Sequence, residues 1–481
     1  MVKKGIFYIL FSLIFLQYIR SQNYFAFQYD TSALNNDLKI LKNAILRNHP
    51  SVGFYGDYNF FYEYLDTSLQ VKHPMTEKDF RKLIKSKLNI LHCGHTNVLP
   101  SSEYLKHLKK KKMKLIPYYI TYDNQHLVVV KGFEKSDTLL KTGDSILQID
   151  NKNADVWIKE IEQYLFTDGF SYIARKEMIQ RHFTFYLSGI AEKDSFLIKI
   201  KNKNGIKEKY IRTREYLKMR NELMEMKSDT LFNYHKGKYF TGFFLNREKN
   251  IFYIKIKSFS GIWMKHQFRK AFKQMKKYQT EYLILDLRNN PGGKITQSLS
   301  LLSYLLPKED SLFYQKVIYN IEEKKYIRRK FEYRIIDFFL RWRSRKILNS
   351  NIYTEKMFVK KRNHFDGKVY VLINANTFSA ANLVNVYLNK RPNTIIVGSE
   401  SAGVKWGSNA VSFLRLKLPH TGIKIIIPTY RIIHNVKYNQ TDMLLPIQPN
   451  IRINYHLNDL LLKKDKELEA VYHHILKNIK K

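Results

Sequence analysis

A repeated grammar of strand, small-residue turn and helix constrains this chain more than any other feature. The segment "YLILDLRNNPGGKITQSLSLLSYLLP" (282–307) begins as a short apolar run and breaks at Pro and paired Gly. It then resumes with apolar residues at three-and-four spacing. The segment "KVYVLINANTFSAANLVNVYLNK" (368–390) repeats that order, and "NTIIVGSESAG" (393–403) supplies another strand and turn. Short buried strands alternating with helices argue for an α/β domain whose ligand chemistry lies at the strand ends.

Other parts of the chain have a different texture. "LNNDLKILKNAILRNHP" and "TEKDFRKLIKSKLNILHCG" carry helical periodicity, which predicts a helical amino-terminal region over 23–112. From about Met113 the pattern turns to strands, with "KLIPYYITY" and "HLVVVKGF". In "TGDSILQIDNKNADVWIKEIEQYL" a strand ends in a polar turn and an amphipathic helix follows. "DSFLIKIKNKNGIKEKYI" predicts a hairpin with an Asn-Gly turn. A polar stretch at 218–238 reads as a linker before the last region, 240–475, which carries a basic insert at about 319–366.

Composition narrows the function classes. With 34 Tyr and 31 Phe in 481 residues the chain can bury large cores, and one cysteine excludes an internal disulfide framework. Residues 1–22 place two lysines before a short apolar run, the layout of a signal peptide, with retention as an amino-terminal anchor the alternative. Export to the periplasm, the outer surface or the medium is therefore expected. The net charge of +41 is spread along the whole chain, and no zinc-finger or ribonucleoprotein spacing accompanies it, so no nucleic-acid partner is expected. The stretch Arg328–Lys346 interleaves arginines with aromatics, which would suit peripheral membrane contact or simple packing on its own domain.

Two turns could carry chemistry. In "DLRNNPGGK" the glycines at 292 and 293 would expose backbone amides where no side chain blocks approach, as an oxyanion site needs. Ser379 opens a helix whose apolar face is Ala380, Leu383, Val384, Tyr387 and Leu388. Serine is a favoured helix cap, and the positive helix end equally suits a nucleophile, so this turn alone leaves both roles open.

Together, "YLILDLRNNPGG", "VYVLINANTFSAANL" and "IIVGSESAG" resemble, in this order, the serine peptidase family of C-terminal processing (tail-specific) peptidases and the tricorn protease core. "NILHCGHTNV" resembles the "DGHT"-type segment of the tricorn-like branch, "LLKTGDSILQIDNKNADVWIKEI" the carboxyl half of a PDZ domain, and "LLPIQPNIRI" the closing "GVxPDI" strand. The resemblance spans about residues 35–475. It implies an α+β multidomain fold with a helical amino-terminal cap, a PDZ-like β domain over 113–217 and a ClpP/crotonase-like α/β core. It also implies Ser379 as nucleophile, with Gly292 or Gly293 and the Ala380 amide as oxyanion hole. His95 stands at the tricorn-like base position, and a histidine, titrating near ~6.5, suits general-base work at neutral pH. Lys405, one residue past the lysine position of the other branch, is the alternative base, and Asp442 is the candidate orienting acid. No metal or organic cofactor is implied, and the partner expected is a polypeptide presenting extended or carboxyl-terminal segments.

Three departures from the family pattern stand out: Asn382 for the glutamate of "SAAE", Cys93 for the aspartate of "DGHT", and Pro446 with Asn450 in "GVxPDI". Those at Asn382 and Cys93 motivate a rival from another class, a non-catalytic peptide- or polymer-binding protein that keeps the fold.

Overall fold

A computed structural model describes residues 24–479 except 111–112, 124–125, 134–138, 217–218, 220–237, 317–323, 329–334, 336–337, 341, 343 and 438. The expected leader (1–22), most of the expected linker and parts of the basic insert lie outside the described residues. The chain divides into two compact units. The first comprises 1–112, 316–343 and 409–431, and the second 113–315, 344–408 and 432–481.

The first unit is built on capped amphipathic helices. Asp30 accepts from the Ala33 amide at the start of helix Thr31–Asn48, whose Leu34, Leu38, Leu41 and Ile45 are buried at helical spacing. Thr76 caps helix Glu77–Leu88 in the same way, burying Phe80, Ile84 and Leu88. Residues 409–431 join these helices through Asp37, which accepts from the amides of His420 and Thr421 at 3.0 and 2.9 Å. Strand Asn97–Leu99, just after the "GHT" segment, pairs antiparallel with Lys424–Ile426.

The second unit holds two sheets that position the site. In the first of them, strands Tyr118–Asp123, His126–Gly132, Ser145–Ile149, Ser195–Asn202 and Gly205–Arg212 form an antiparallel sheet. Helices Ala154–Glu162 and Tyr172–Ile190 lay Trp157, Ile161, Ile179, Phe183 and Leu187 against it. Asp150 and Asn151 both take positive φ in a tight turn, as the polar run predicts. In the expected hairpin the loop is Lys203-Asn204, and Gly205 is already the first residue of the returning strand.

The other sheet runs Phe240–Asn246, Ile251–Ile256, Tyr282–Asp286, Lys368–Ile373, Thr394–Gly398 and Ile451–Arg452. Its first pair is antiparallel and the rest are parallel. Ile284, Tyr370, Leu372 and Val397 pack against Leu468, Val471 and Ile475 of helix Lys466–Ile479. Alternate residues Leu283, Leu285, Val369 and Val371 are also fully buried, so the strands are apolar on both faces, as parallel strands between helices must be. The fold is thus α+β. One expectation changes: helix Ala380–Asn389 is buried on every side from 380 to 388, not on one apolar face alone. Its second face is polar in type (Asn382, Asn385) but covered by neighbouring turns, which helical periodicity cannot show.

Candidate active site

Ser379 directly precedes helix Ala380–Asn389 with φ 55° and ψ −122°, and its side chain makes no capping hydrogen bond. A non-glycine residue in that region is strained and persists only where its surroundings hold it. A capping serine has extended backbone and bonds an amide one turn on. Ser379 does neither.

The two turns of the repeated grammar hold Ser379 in this conformation. Asn289, itself at φ 60°, accepts through Oδ1 from the side-chain amides of Asn374 and Asn376, each at 3.0 Å. Asn374 Oδ1 accepts in return from the Asn289 amide at 3.0 Å. Thr377 Oγ1 accepts from the Asn374 amide and donates to the Leu287 carbonyl. The Phe378 amide, adjacent to Ser379, donates to the Asn290 carbonyl at 3.0 Å.

Gly292 takes φ 98° beside this turn. The Gly292 amide donates to Asn290 Oδ1 at 2.9 Å, so in this structure it is already engaged within its own turn. Gly293, at φ 140°, passes against the backbone of Phe259 and Ser260, where a side chain would collide. The Ala380 amide opens the helix, a position without an intrahelical partner.

Asn382 sits one turn along the helix from Ser379. Its Nδ2 donates to the Val404 carbonyl at 3.0 Å and its Oδ1 accepts from Ser401 Oγ at 2.8 Å. A Cβ at residue 403 would run into the Asn382 amide, so the glycine of the third motif is what admits it. The residue that breaks the "SAAE" pattern thus braces the third motif against the Ser379 helix.

Lys405, 9% exposed, forms an ion pair with Asp442 at 2.6 Å between Nζ and Oδ1. The alternative base and the candidate acid are therefore brought together with each other. Beneath the turns, burial alone would raise the Asp286 carboxyl. Arg288 and Lys255, with the Tyr253 hydroxyl, hold it well below the usual carboxylate range. Arg288 reaches on to Asp465 and Glu467 at 2.7 and 3.0 Å.

His95 belongs to the first unit, in the turn closed by the Thr96 amide on the Cys93 carbonyl. It is partly buried and stacks on Phe413 with ring centroids 6.2 Å apart, and Cys93 is buried. Thr96 is fixed by His49, whose Nε2 lies 2.7 Å from Thr96 Oγ1 and whose Nδ1 accepts from the Ser51 amide. Burial and then Arg431 lower the His49 pKa to about 3, so it is neutral and donates through Nε2–H.

Sequence reasoning passed over His49, Asn289, Asn290, Asn374 and Thr377. For the last four the one signal was the density of asparagine flanking each turn, in "RNNPGG" and "NANTFS".

Residues 250–453 match the model of peptidase family S41. Among solved structures, mature CPAF aligns over 93% of this chain and 98% of its own, with a TM-score of 0.63 and 15% identity. Mature CPAF complexed with lactacystin aligns over 93% and 99%, with a TM-score of 0.63 and 16% identity. At these identities the likeness is one of fold. No curated protein matches the sequence. Residues 250–453 thus carry a peptidase family S41 domain, and serine-type peptidase is the activity that this domain supports.

Proposed function

We propose that the chain is an exported endopeptidase that cleaves polypeptides through Ser379. In this reading the Ser379 hydroxyl passes its proton to His95 and attacks the scissile carbonyl, and water then hydrolyses the acyl-enzyme. The observation that carries it is the strained, non-capping Ser379 at a helix start, the conformation that lifts a side chain out of a strand-to-helix turn. The amides of Gly293 and Ala380 would hold the oxyanion. Gly292 would contribute room instead of a donor, because its amide serves Asn290.

His95 is favoured over Lys405 as base because the Lys405 ammonium is already paired with Asp442. Asp442, the acid expected to orient the base, would then act with one oxygen committed to Lys405. The region 113–217 is read as PDZ-like, and export rests on the amino-terminal lysines and apolar run.

A fluorophosphonate probe should label the protein, and Ser379→Ala should abolish labelling; persistent labelling of that variant would remove Ser379 as nucleophile. His95→Ala should cost most of the activity while Lys405→Ala retains it, and the reverse result would reassign the base to Lys405.

A further inference from the structure

The antiparallel sheet of residues 118–212 treats its two edges differently. At one edge, helix Tyr172–Ile190 closes over strand Tyr118–Asp123. There Gln180 Nε2 donates to the Tyr122 carbonyl at 2.7 Å, and Thr121 Oγ1 donates to the Gln180 carbonyl at 3.1 Å. At the other edge, Gly205–Arg212 pairs with Ser195–Asn202 over its whole length without a register shift. Among the described residues no strand pairs with its outer side.

A straight, unbulged edge of eight residues is a template for another strand, and proteins usually blunt such edges with charge, proline or a bulge. Charge is present here, but so is an apolar surface. Ile206 and Tyr210 stand 58% and 71% exposed on one face of the strand, while Ile211 on the other face belongs to the core. Lys201 is directly opposite Ile206 in the register. Lys201, Lys207 and Arg212 are exposed, and the one acidic residue of the strand, Glu208, is neutralised by Lys199 at 3.1 Å. The edge thus offers unpaired backbone groups, two apolar contacts and an uncompensated positive charge.

We propose that this edge is an exosite that takes an extended, acidic stretch of the polypeptide substrate as an added strand. Backbone pairing supplies affinity, Ile206 and Tyr210 cover apolar side chains on one face of the incoming segment, Lys207 selects acidic ones on the other, and Lys201 and Arg212 add positive charge that favours an acidic segment. That the occupant is a polypeptide rests on the peptidase assignment; the docking itself is independent of which residue is the nucleophile.

The test is fluorescence anisotropy on the wild-type and Ser379→Ala proteins, using labelled decapeptides of alternating Val/Glu, alternating Val/Lys, and Val/Glu methylated at alternate backbone nitrogens. The Val/Glu peptide should bind at least about tenfold more tightly than either of the others. The exposed double variant Lys207→Glu/Arg212→Glu should lose that preference. Ile206→Ser/Tyr210→Ser should weaken the same peptide several-fold.

In cleavage assays the charge-reversed variant should raise KM for a substrate bearing a Val/Glu extension at unchanged kcat. It should leave a short substrate without the extension unaffected. Binding of Val/Glu to the charge-reversed variant as tightly as to the parent would overturn the proposal. So would equal binding of the methylated peptide, which would leave bare charge attraction without strand addition. If Ser379→Ala proves fully active, the nucleophile assignment fails while the binding comparison still decides the exosite.

Discussion

Gly292 and Ser379 are packed so closely that no side chain fits between them. A Cβ on Gly292 would lie 2.7 Å from the Ser379 Cβ and 2.9 Å from the Ala380 amide nitrogen. The strained serine is therefore held from outside its own turn as well as from within. Gly292→Ala combines this clash with a positive φ that alanine disfavours. Its displacement of the Ser379–Ala380 peptide should lower kcat by ~100-fold, since an error of about 1 Å in placement costs that much. Steady-state kinetics with a fluorogenic peptide checks this; kcat within threefold of wild type would refute it.

Asn382→Ala should remove both ties to the third motif, those to Ser401 and the Val404 carbonyl. The expected loss is ~1–3 kcal/mol of stability, because the carbonyl left behind is buried. Asn382→Asp should be at least as harmful, since it places a carboxylate oxygen where the amide now donates. Thermal unfolding of the two variants against wild type measures both.

Arg288→Met would leave Asp286 buried without its main partner and would also release Asp465 and Glu467. Removing one member of a buried ion pair typically costs ~3–5 kcal/mol. The denaturation midpoint should fall accordingly. An unchanged midpoint would show that Lys255 alone suffices for Asp286.

His49 and His434 predict acid sensitivity. Burial and then Arg431 hold His49 at about 3, and burial, against its bond to the Lys405 carbonyl, holds His434 at about 4. In the unfolded chain both titrate near ~6.5. Above that pH neither state binds the protons and nothing changes. As pH falls below it, the unfolded chain takes up protons that the folded one refuses. Stability should then drop by ~1.4 kcal/mol per pH unit per histidine until the folded values are reached. Urea midpoints at pH 7.5 and 5.0 read the slope, and His434→Gln should remove its share. An identical slope in that variant would exclude His434 as a source.

The strand-turn-helix order around Ser379 was legible because periodicity and turn chemistry are local properties. The Asp150-Asn151 turn and the hairpin of 195–212 were legible for the same reason. The bonds that hold the site were not. Asn289 meets Asn374 across 85 residues, and nothing local in either segment names the other. Asp37 likewise draws Thr421 into the first unit across 384 residues, dividing a stretch that reads as continuous core. Asn382 looked like a broken motif because its role depends on a glycine twenty-one positions later, at 403, that makes room for it.

The buried guanidinium of Arg288 has a temporal consequence. It joins the turn after strand Tyr282–Asp286 to Asp465 and Glu467, at the foot of helix Lys466–Ile479, which covers one face of the sheet. During synthesis the segment carrying Ser379 emerges from the ribosome well before its support. Until residues 465–475 follow, the strands beneath both turns lack one wall and Arg288 lacks two of its anions. The order of translation thus leaves the strands beneath Ser379 without that wall until residues 465–475 have been made.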